Sequence, residues 1–184
     1  MGIGNTTSTS ACAIALLGVA PELAVGRGAG LTDEALANKI KVVEKALAVN
    51  QPDRDDPLDV LSKVGGLDIA GLAGCYLAAA YHRIPILVDG SISAVAALIA
   101  ARLCPPAKDF MIATHRSTEP SYDAAAGELG LRPFLEMEMR LGEGTGCALV
   151  FPIVAAACAM MNEMGTFADI SFDESVLVDI RETD

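Results

Sequence analysis

Glu143 stands between two glycines in Arg140-Leu-Gly-Glu-Gly-Thr-Gly146, immediately before an apolar run. Little side-chain cover surrounds such a carboxylate, which makes it a candidate general base, partly desolvated yet reachable by a ligand. The competing reading is a Glu in the first turn of a helix, complementing the helix dipole. A second cluster opens the chain: Gly2-Ile3-Gly4-Asn5-Thr6-Thr7 runs directly into Ala11-Cys12-Ala13-Ile14. A glycine turn at a helix N-terminus offers backbone N–H groups and hydroxyls to an anion, or is simply a tight turn. It is neither a Walker loop nor a complete G-x-G-x-x-G. Val25-Gly-Arg-Gly-Ala-Gly30 is either a second backbone nest or a flexible loop. Lys39, on the helix that follows, is a candidate phosphate contact or a solvated helical lysine.

A third cluster, Thr114-His115-Arg116-Ser117-Thr118-Glu119-Pro120, gathers a titratable ring, a cation and hydroxyls. His115 is a candidate base or substrate contact, or a loop histidine bonded to backbone. Arg116 shares this loop as a possible ribose or loop contact. Asp89 ends Ile86-Leu-Val-Asp-Gly90 and reads as a strand-end ribose acid or as turn chemistry. It stands alone, whereas transferases using phosphoribosyl pyrophosphate place paired acids after the strand. No Cys/His spacing suits a metal, and neither metal nor cofactor is expected. His82 is read as a partner for a helix C-terminus.

The elements that must carry these residues follow from periodicity and punctuation. Helices are predicted over about 11–17, 33–49 (capped by Thr32), 58–64, 68–82, 93–103, 122–129 and 147–164, with strands over 84–88, 110–113 and 133–139. Residues 115–120 are predicted to be a loop, and 171–184 an acidic tail. Helices alternating with short apolar strands imply parallel pairing. The expected fold is a three-layer α/β/α arrangement with a mainly parallel, Rossmann-like sheet, and ligands belong beyond the carboxyl ends of its strands. Three strands are fewer than such a sheet needs, so the expectation is an incomplete half of a larger domain.

Composition sets the class. The chain has 184 residues, 52% hydrophobic, with 4% aromatic and no Trp, so Ala, Leu, Ile and Val must pack the core. A net charge of -11 repels a phosphate backbone or anionic membrane surface, so neither nucleic acid nor membrane is an expected partner. Five widely spread cysteines without a C-x-x-C read as reduced, buried thiols of a cytoplasmic protein. Residues 11–20 are apolar but short and follow no basic segment, so they read as a core helix, and no other run approaches transmembrane length.

Taken in order, the motifs resemble the nicotinate-nucleotide–dimethylbenzimidazole phosphoribosyltransferase family, which builds the lower ligand of cobalamin. The matching residues are Met1-Gly-Ile-Gly-Asn-Thr-Thr-Ser8, Val25-Gly-Arg-Gly28, Asp56-Pro-Leu-Asp-Val60 and Val64-Gly-Gly-Leu-Asp-Ile-Ala-Gly-Leu-Ala-Gly74. They continue through Asp89-Gly90, His115-Arg-Ser117-x-Glu119-Pro120 and Leu141-Gly-Glu-Gly-Thr-Gly146. The resemblance implies transfer of ribose phosphate from nicotinate mononucleotide to dimethylbenzimidazole or a related azole, without a cofactor. It implies that Glu143 is the base that deprotonates the azole. Gly2, Ile3, Gly4 and Asn5, with Lys39, Ser117 and Gly142, become donor and phosphate contacts, and Met1 and Leu141 line the acceptor pocket. Family members are about twice this length and carry a Glu directly before the position of Met1, which this sequence lacks. Residues 1–168 therefore resemble the C-terminal catalytic portion, with 169–184 as a tail. A homodimer, or pairing with an N-terminal segment, is the expected assembly. The alternative is a non-catalytic nucleotide-binding or partner-binding fragment.

Overall fold

Residues 111–117 form one extended stretch that serves two strand pairs. The computed structural model describes residues 4–166 and Asp169. β1 (Ile86–Val88) pairs in parallel with β2 (Met111–Ala113), Leu87 lying opposite Ile112. β3 (His115–Ser117) pairs in parallel with β4 (Leu135–Met139). Thr114 is the pivot between them: its N–H donates to the Val88 carbonyl at 3.0 Å, and its own carbonyl accepts from Phe134 and Leu135 at 3.1 and 3.0 Å. Each pair is bridged by a helix, α5 (Ser91–Leu103) between β1 and β2 and α6 (Pro120–Leu129) between β3 and β4. A helical crossover returns the chain in the same direction, hence the parallel ladders of this α/β fold.

Residues 115–117 correct the sequence reading, which made them part of a loop. Their alternation is that of a strand, with His115 and Ser117 buried and Arg116 exposed. The buried positions carry polar side chains, so composition mimics a loop where geometry makes a strand.

α5 is the central helix. Its seven consecutive residues Ala94–Ala100 are all buried, and α4 (Leu67–Tyr81), α6 and α1 (Thr6–Leu17) pack around it. A helix apolar on every side belongs in a core, and its alanines let the neighbours approach closely. α1 contributes Cys12, Ala13 and Leu16 to the same core. It begins at Thr6, earlier than predicted, because its hydroxyls turn back onto backbone: Ser10 Oγ lies 2.8 Å from the carbonyls of both Thr6 and Ala24, which share its one proton.

Helix boundaries elsewhere follow capping chemistry. Thr32 Oγ1 accepts from Ala35 N at the start of α2 (Asp33–Asn50). The Asp56 carboxylate accepts from Leu58 and Asp59, with Pro57 opening α3 (Pro57–Val64). His82 ends α4, its amide donating to Ala78.

The cysteines depart from expectation. All five are free, but only Cys12 is buried, Cys147 is half-buried, and Cys75, Cys104 and Cys158 are exposed. The chain divides into two units, Met1–Val150 and Phe151–Asp184. α7 (Thr145–Glu163) begins in the first and ends in the second. An 18-residue window of its 19 residues has a mean hydropathy of 1.7, long and apolar enough to cross a membrane, which the sequence reading did not anticipate. The core helix of a soluble protein meets the same criterion. Pro152, inside it, removes one N–H from the helical ladder. The expected tail, apart from Asp169, lies outside the described residues.

Candidate active site

The turn that carries Glu143 is left-handed. Gly142, Glu143 and Gly144 have φ of +73°, +57° and +76°. Glycine adopts this conformation freely, whereas a residue with a side chain is strained by roughly 1–2 kcal/mol, so Glu143 must be held there by its surroundings. Two sets of bonds hold it. The Gly142 carbonyl accepts from the Thr145 amide at 3.0 Å and the Thr145 hydroxyl at 2.7 Å. Beyond Glu143, the Gly144 and Gly146 amides donate to the two carboxylate oxygens of Asp89, at 3.0 and 2.8 Å. Glu143 itself is exposed, so the partial desolvation expected from its sequence setting is not supplied by the described residues. Leu141, expected to line the acceptor pocket, is 71% exposed.

Beneath this turn is a buried polar group. Asp89 leaves the end of β1, and His115, fully buried at the start of β3, places Nδ1 3.6 Å from Asp89 Oδ1. The Thr114 hydroxyl donates its only proton to the Val88 carbonyl at 2.9 Å while lying 3.1 Å from His115 Nδ1. That hydroxyl can only accept from the ring, so Nδ1 is the donor in this contact. His115 Nε2 has no hydrogen-bond partner among the described residues, nor has the buried hydroxyl of Tyr122, whose ring stacks on His115 with centroids 6.5 Å apart. Burial pushes the Tyr122 phenol up to about 12, so it stays protonated. Gly146 has no alternative here, because a Cβ would lie 2.6 Å from Thr114 Oγ1 and 2.7 Å from Asp89 Oδ1.

The second cluster gathers at the start of α1. Lys39, from α2, is only 7% exposed and donates to Thr6 Oγ1 at 2.9 Å and to the Gly26 carbonyl at 2.8 Å. The reading as a solvated helical lysine is therefore set aside. Burial holds its pKa below the ordinary lysine value, against the opposing charge of Glu119. Gly4 takes φ +83°, and the Asn5 side chain donates to Asp68 Oδ2 at 2.6 Å, tying the α1 turn to the first turn of α4. Met1, Gly2 and Ile3 lie outside the described residues, so two members of the expected phosphate cradle and one of the expected acceptor pocket are not described.

Glu119 ties the two clusters together. Its amide donates to Ser117 Oγ at 3.3 Å, and its carboxylate accepts from Gly28 N at 2.9 Å. It thereby occupies part of the nest read into residues 25–30, and a Cβ on Gly26 would lie 2.7 Å from Pro120 Cδ. Ser117, buried, faces the same side as His115: a Cβ on Gly90 would be 3.9 Å from both Ser117 Oγ and His115 Nε2. The structure thus groups Asp89, His115, Ser117 and the Glu143 turn, with Lys39 joined through Glu119. Arg116 is not among them. It points to the opposite face and forms a two-pronged ion pair with Asp123 at 2.9 and 2.8 Å. Sequence reasoning read Thr6 and Thr114 only as hydroxyls within their clusters, and gave Asp68 and Glu119 no role of their own. The Glu-Pro step opening α6 was the one visible signal for Glu119.

Comparison with known proteins places this geometry. The family model DBI_PRT, described as phosphoribosyltransferase, matches residues 1–171. The nicotinate-nucleotide--dimethylbenzimidazole phosphoribosyltransferase of Acetivibrio thermocellus is 53% identical over 174 residues, covering 95% of this chain and 50% of that protein. The protein of the same name from Clostridium acetobutylicum is 54% identical over 173 residues, covering 94% and 49%. The crystal structure of CobT from Thermus thermophilus superposes with a TM-score of 0.87 at 40% identity, covering 94% of this chain and 51% of that one. The chain thus spans about half the length of the relatives it matches. On a match running through both glycine turns and the whole Asp89–Glu143 group, this chain belongs to the DBI_PRT phosphoribosyltransferase family.

Proposed function

We propose that this chain carries the donor-binding and general-base half of a nicotinate mononucleotide:dimethylbenzimidazole phosphoribosyltransferase. What supports this most is its identity of about half with relatives bearing that name, over aligned stretches of 174 and 173 residues. In the reaction, Glu143 accepts the N–H proton of the azole, and the other ring nitrogen attacks the anomeric carbon of the ribose. The glycosidic bond to nicotinate breaks with its electron pair staying on the pyridine nitrogen. That nitrogen was cationic in the donor and leaves neutral, so departure needs no added acid. Attack opposite the leaving group converts the β-riboside into an α-ribazole phosphate. The proton on Glu143 passes to solvent.

Positioning supplies the rest of the rate. Lys39, Ser117, Gly142 and the amides around Gly2, Ile3, Gly4 and Asn5 take the donor phosphate and ribose, with Asp89 and His115 supporting the turn. Met1 and Leu141 border the azole. Arg116 contributes to the surface rather than to the donor. The exposed Leu67 and Tyr81, 93% and 83% open, fit an assembly that buries them, either a second copy or an N-terminal half. The free thiols fit a cytoplasmic protein.

The test is nicotinate release from nicotinate mononucleotide and dimethylbenzimidazole, by the chain alone and with the N-terminal half of a full-length relative. Glu143→Gln should slow turnover by roughly 10²–10⁴-fold, the scale of a lost general base. A second reading has the half-length match in its favour: a nucleotide-binding fragment, which would bind the donor calorimetrically and show no turnover in either preparation.

A further inference from the structure

We infer that Asp89 is a positioning residue for Glu143: its carboxylate grips the Gly144 and Gly146 amides and so fixes the direction in which Glu143 is presented, with buried His115 packed beside it. The inference rests on the base role proposed above and adds the device that makes the base effective.

The geometry gives the carboxylate two partners that bracket the base. Asp89 Oδ2 takes the amide immediately after Glu143, and Oδ1 takes the amide two residues further on, in the first turn of α7. The Glu143–Gly144 peptide therefore cannot rotate without breaking a charge-assisted bond, and Gly142 is pinned on the other side by Thr145. Glu143 sits at φ +57°, a conformation its own side chain disfavours. Without the grip, the glycines on both sides would let the turn relax, and the carboxylate would sample many directions. A general base loses rate steeply with misplacement, because the proton transfer works only within hydrogen-bond reach.

Asp89 is itself constrained. It is 9% exposed at the end of a strand, and the ring of fully buried His115 lies beside it, with Nδ1 3.6 Å from Oδ1. The Thr114 hydroxyl, committed to Val88, accepts from His115 Nδ1 and so fixes the position of the ring beside the carboxylate. Both Thr114 and His115 sit where the chain passes from one strand pair to the other. The grip is thus mounted on the strands rather than on a loop.

A carboxylate at the start of α7 also has a purely structural meaning, stabilising the helix N-terminus. Two measurements separate the roles. Amide hydrogen exchange on the native chain should show Gly144 and Gly146 protected, and Asp89→Asn should expose both selectively while Ala148, bonded to the Gly144 carbonyl, stays protected. This reading needs neither turnover nor the proposed function. In a preparation that turns over, Asp89→Asn should lower kcat by roughly 10–100-fold and change KM for nicotinate mononucleotide less than about threefold, the signature of a group acting only in the transition state. In a Glu143→Gln background the same substitution should lower kcat less than about twofold further, since a residue acting through Glu143 has nothing left to act on.

Full additivity of the two substitutions would overturn the inference and leave Asp89 a helix cap. Unprotected Gly144 and Gly146 amides in the native chain would overturn it at the structural step. If no preparation turns over, the proposed function falls, and the exchange pattern alone decides whether Asp89 grips the turn.

Discussion

Replacing Gly146 with alanine drives an atom into the polar group beneath the Glu143 turn. The new Cβ would lie 2.6 Å from Thr114 Oγ1 and 2.7 Å from Asp89 Oδ1, with His115 Nδ1 nearer still. None of the three can retreat toward solvent: Thr114 and His115 are fully buried and Asp89 is 9% exposed. Overpacking of this kind costs ~1–3 kcal/mol. Relief by withdrawing Asp89 would forfeit hydrogen bonds to a charged acceptor, worth ~1.5–3 kcal/mol each. Together, with one such bond given up, these set a loss of roughly 2.5–6 kcal/mol. Gly144→Ala is the internal control. Its Cβ meets nothing within 4 Å, so only the φ of +76° penalises it, by ~1–2 kcal/mol. Urea unfolding followed by circular dichroism would rank the two. Equal destabilisation, or a milder effect at Gly146, would refute the close approach of α7 to Asp89 and His115.

Other outcomes follow from the same structure. Lys39→Met should weaken nicotinate mononucleotide binding by roughly 10–100-fold in calorimetry, the value of a charge-assisted hydrogen bond. Lys45→Met, at an exposed position of the same helix, should leave it unchanged. The hydrogen bond from Asn5 holds the Asp68 carboxyl below its ordinary pKa. Its contribution to stability is therefore present above the unfolded carboxylate range and lost as pH falls through the depressed value. The gap in urea midpoint between the native chain and Asp68→Asn should narrow as pH drops from about 6 to about 2.5. Burial raises the Cys12 thiol to about 12, so a thiol-specific reagent should label the exposed Cys75, Cys104 and Cys158 quickly and reach Cys12 only on unfolding.

The helices were legible, and the starts of α2 and α3 with them, because capping and periodicity are local. Thr32 and Asp56 announce α2 and α3 by side-chain chemistry that needs no tertiary context. The parallel strand pairing was legible from the alternation of helices with apolar segments. What sequence could not show is where polar residues turn inward. His115-Arg-Ser117 looks like a loop because its buried face is polar, and only the pairing with β4 makes it a strand. The same blindness applies to Lys39, whose helix reads as solvated while its ammonium is buried against Thr6 and Gly26. The Glu143 turn was visible as glycines around a carboxylate. Its grip by Asp89 joins residues more than fifty positions apart, which no local pattern encodes. Cys75, Cys104 and Cys158 erred the other way, as apolar surroundings in sequence proved to be exposed surface.

The central claim is that Glu143 is the base of a phosphoribosyl transfer, and its most direct test is the rate of nicotinate release with Glu143→Gln. The measurement uses nicotinate mononucleotide, dimethylbenzimidazole and the chain combined with the N-terminal half of a full-length relative. The account predicts that the substitution slows release by roughly 10²–10⁴-fold while donor binding, measured by calorimetry on the same preparation, is retained. Release at the unsubstituted rate would contradict it.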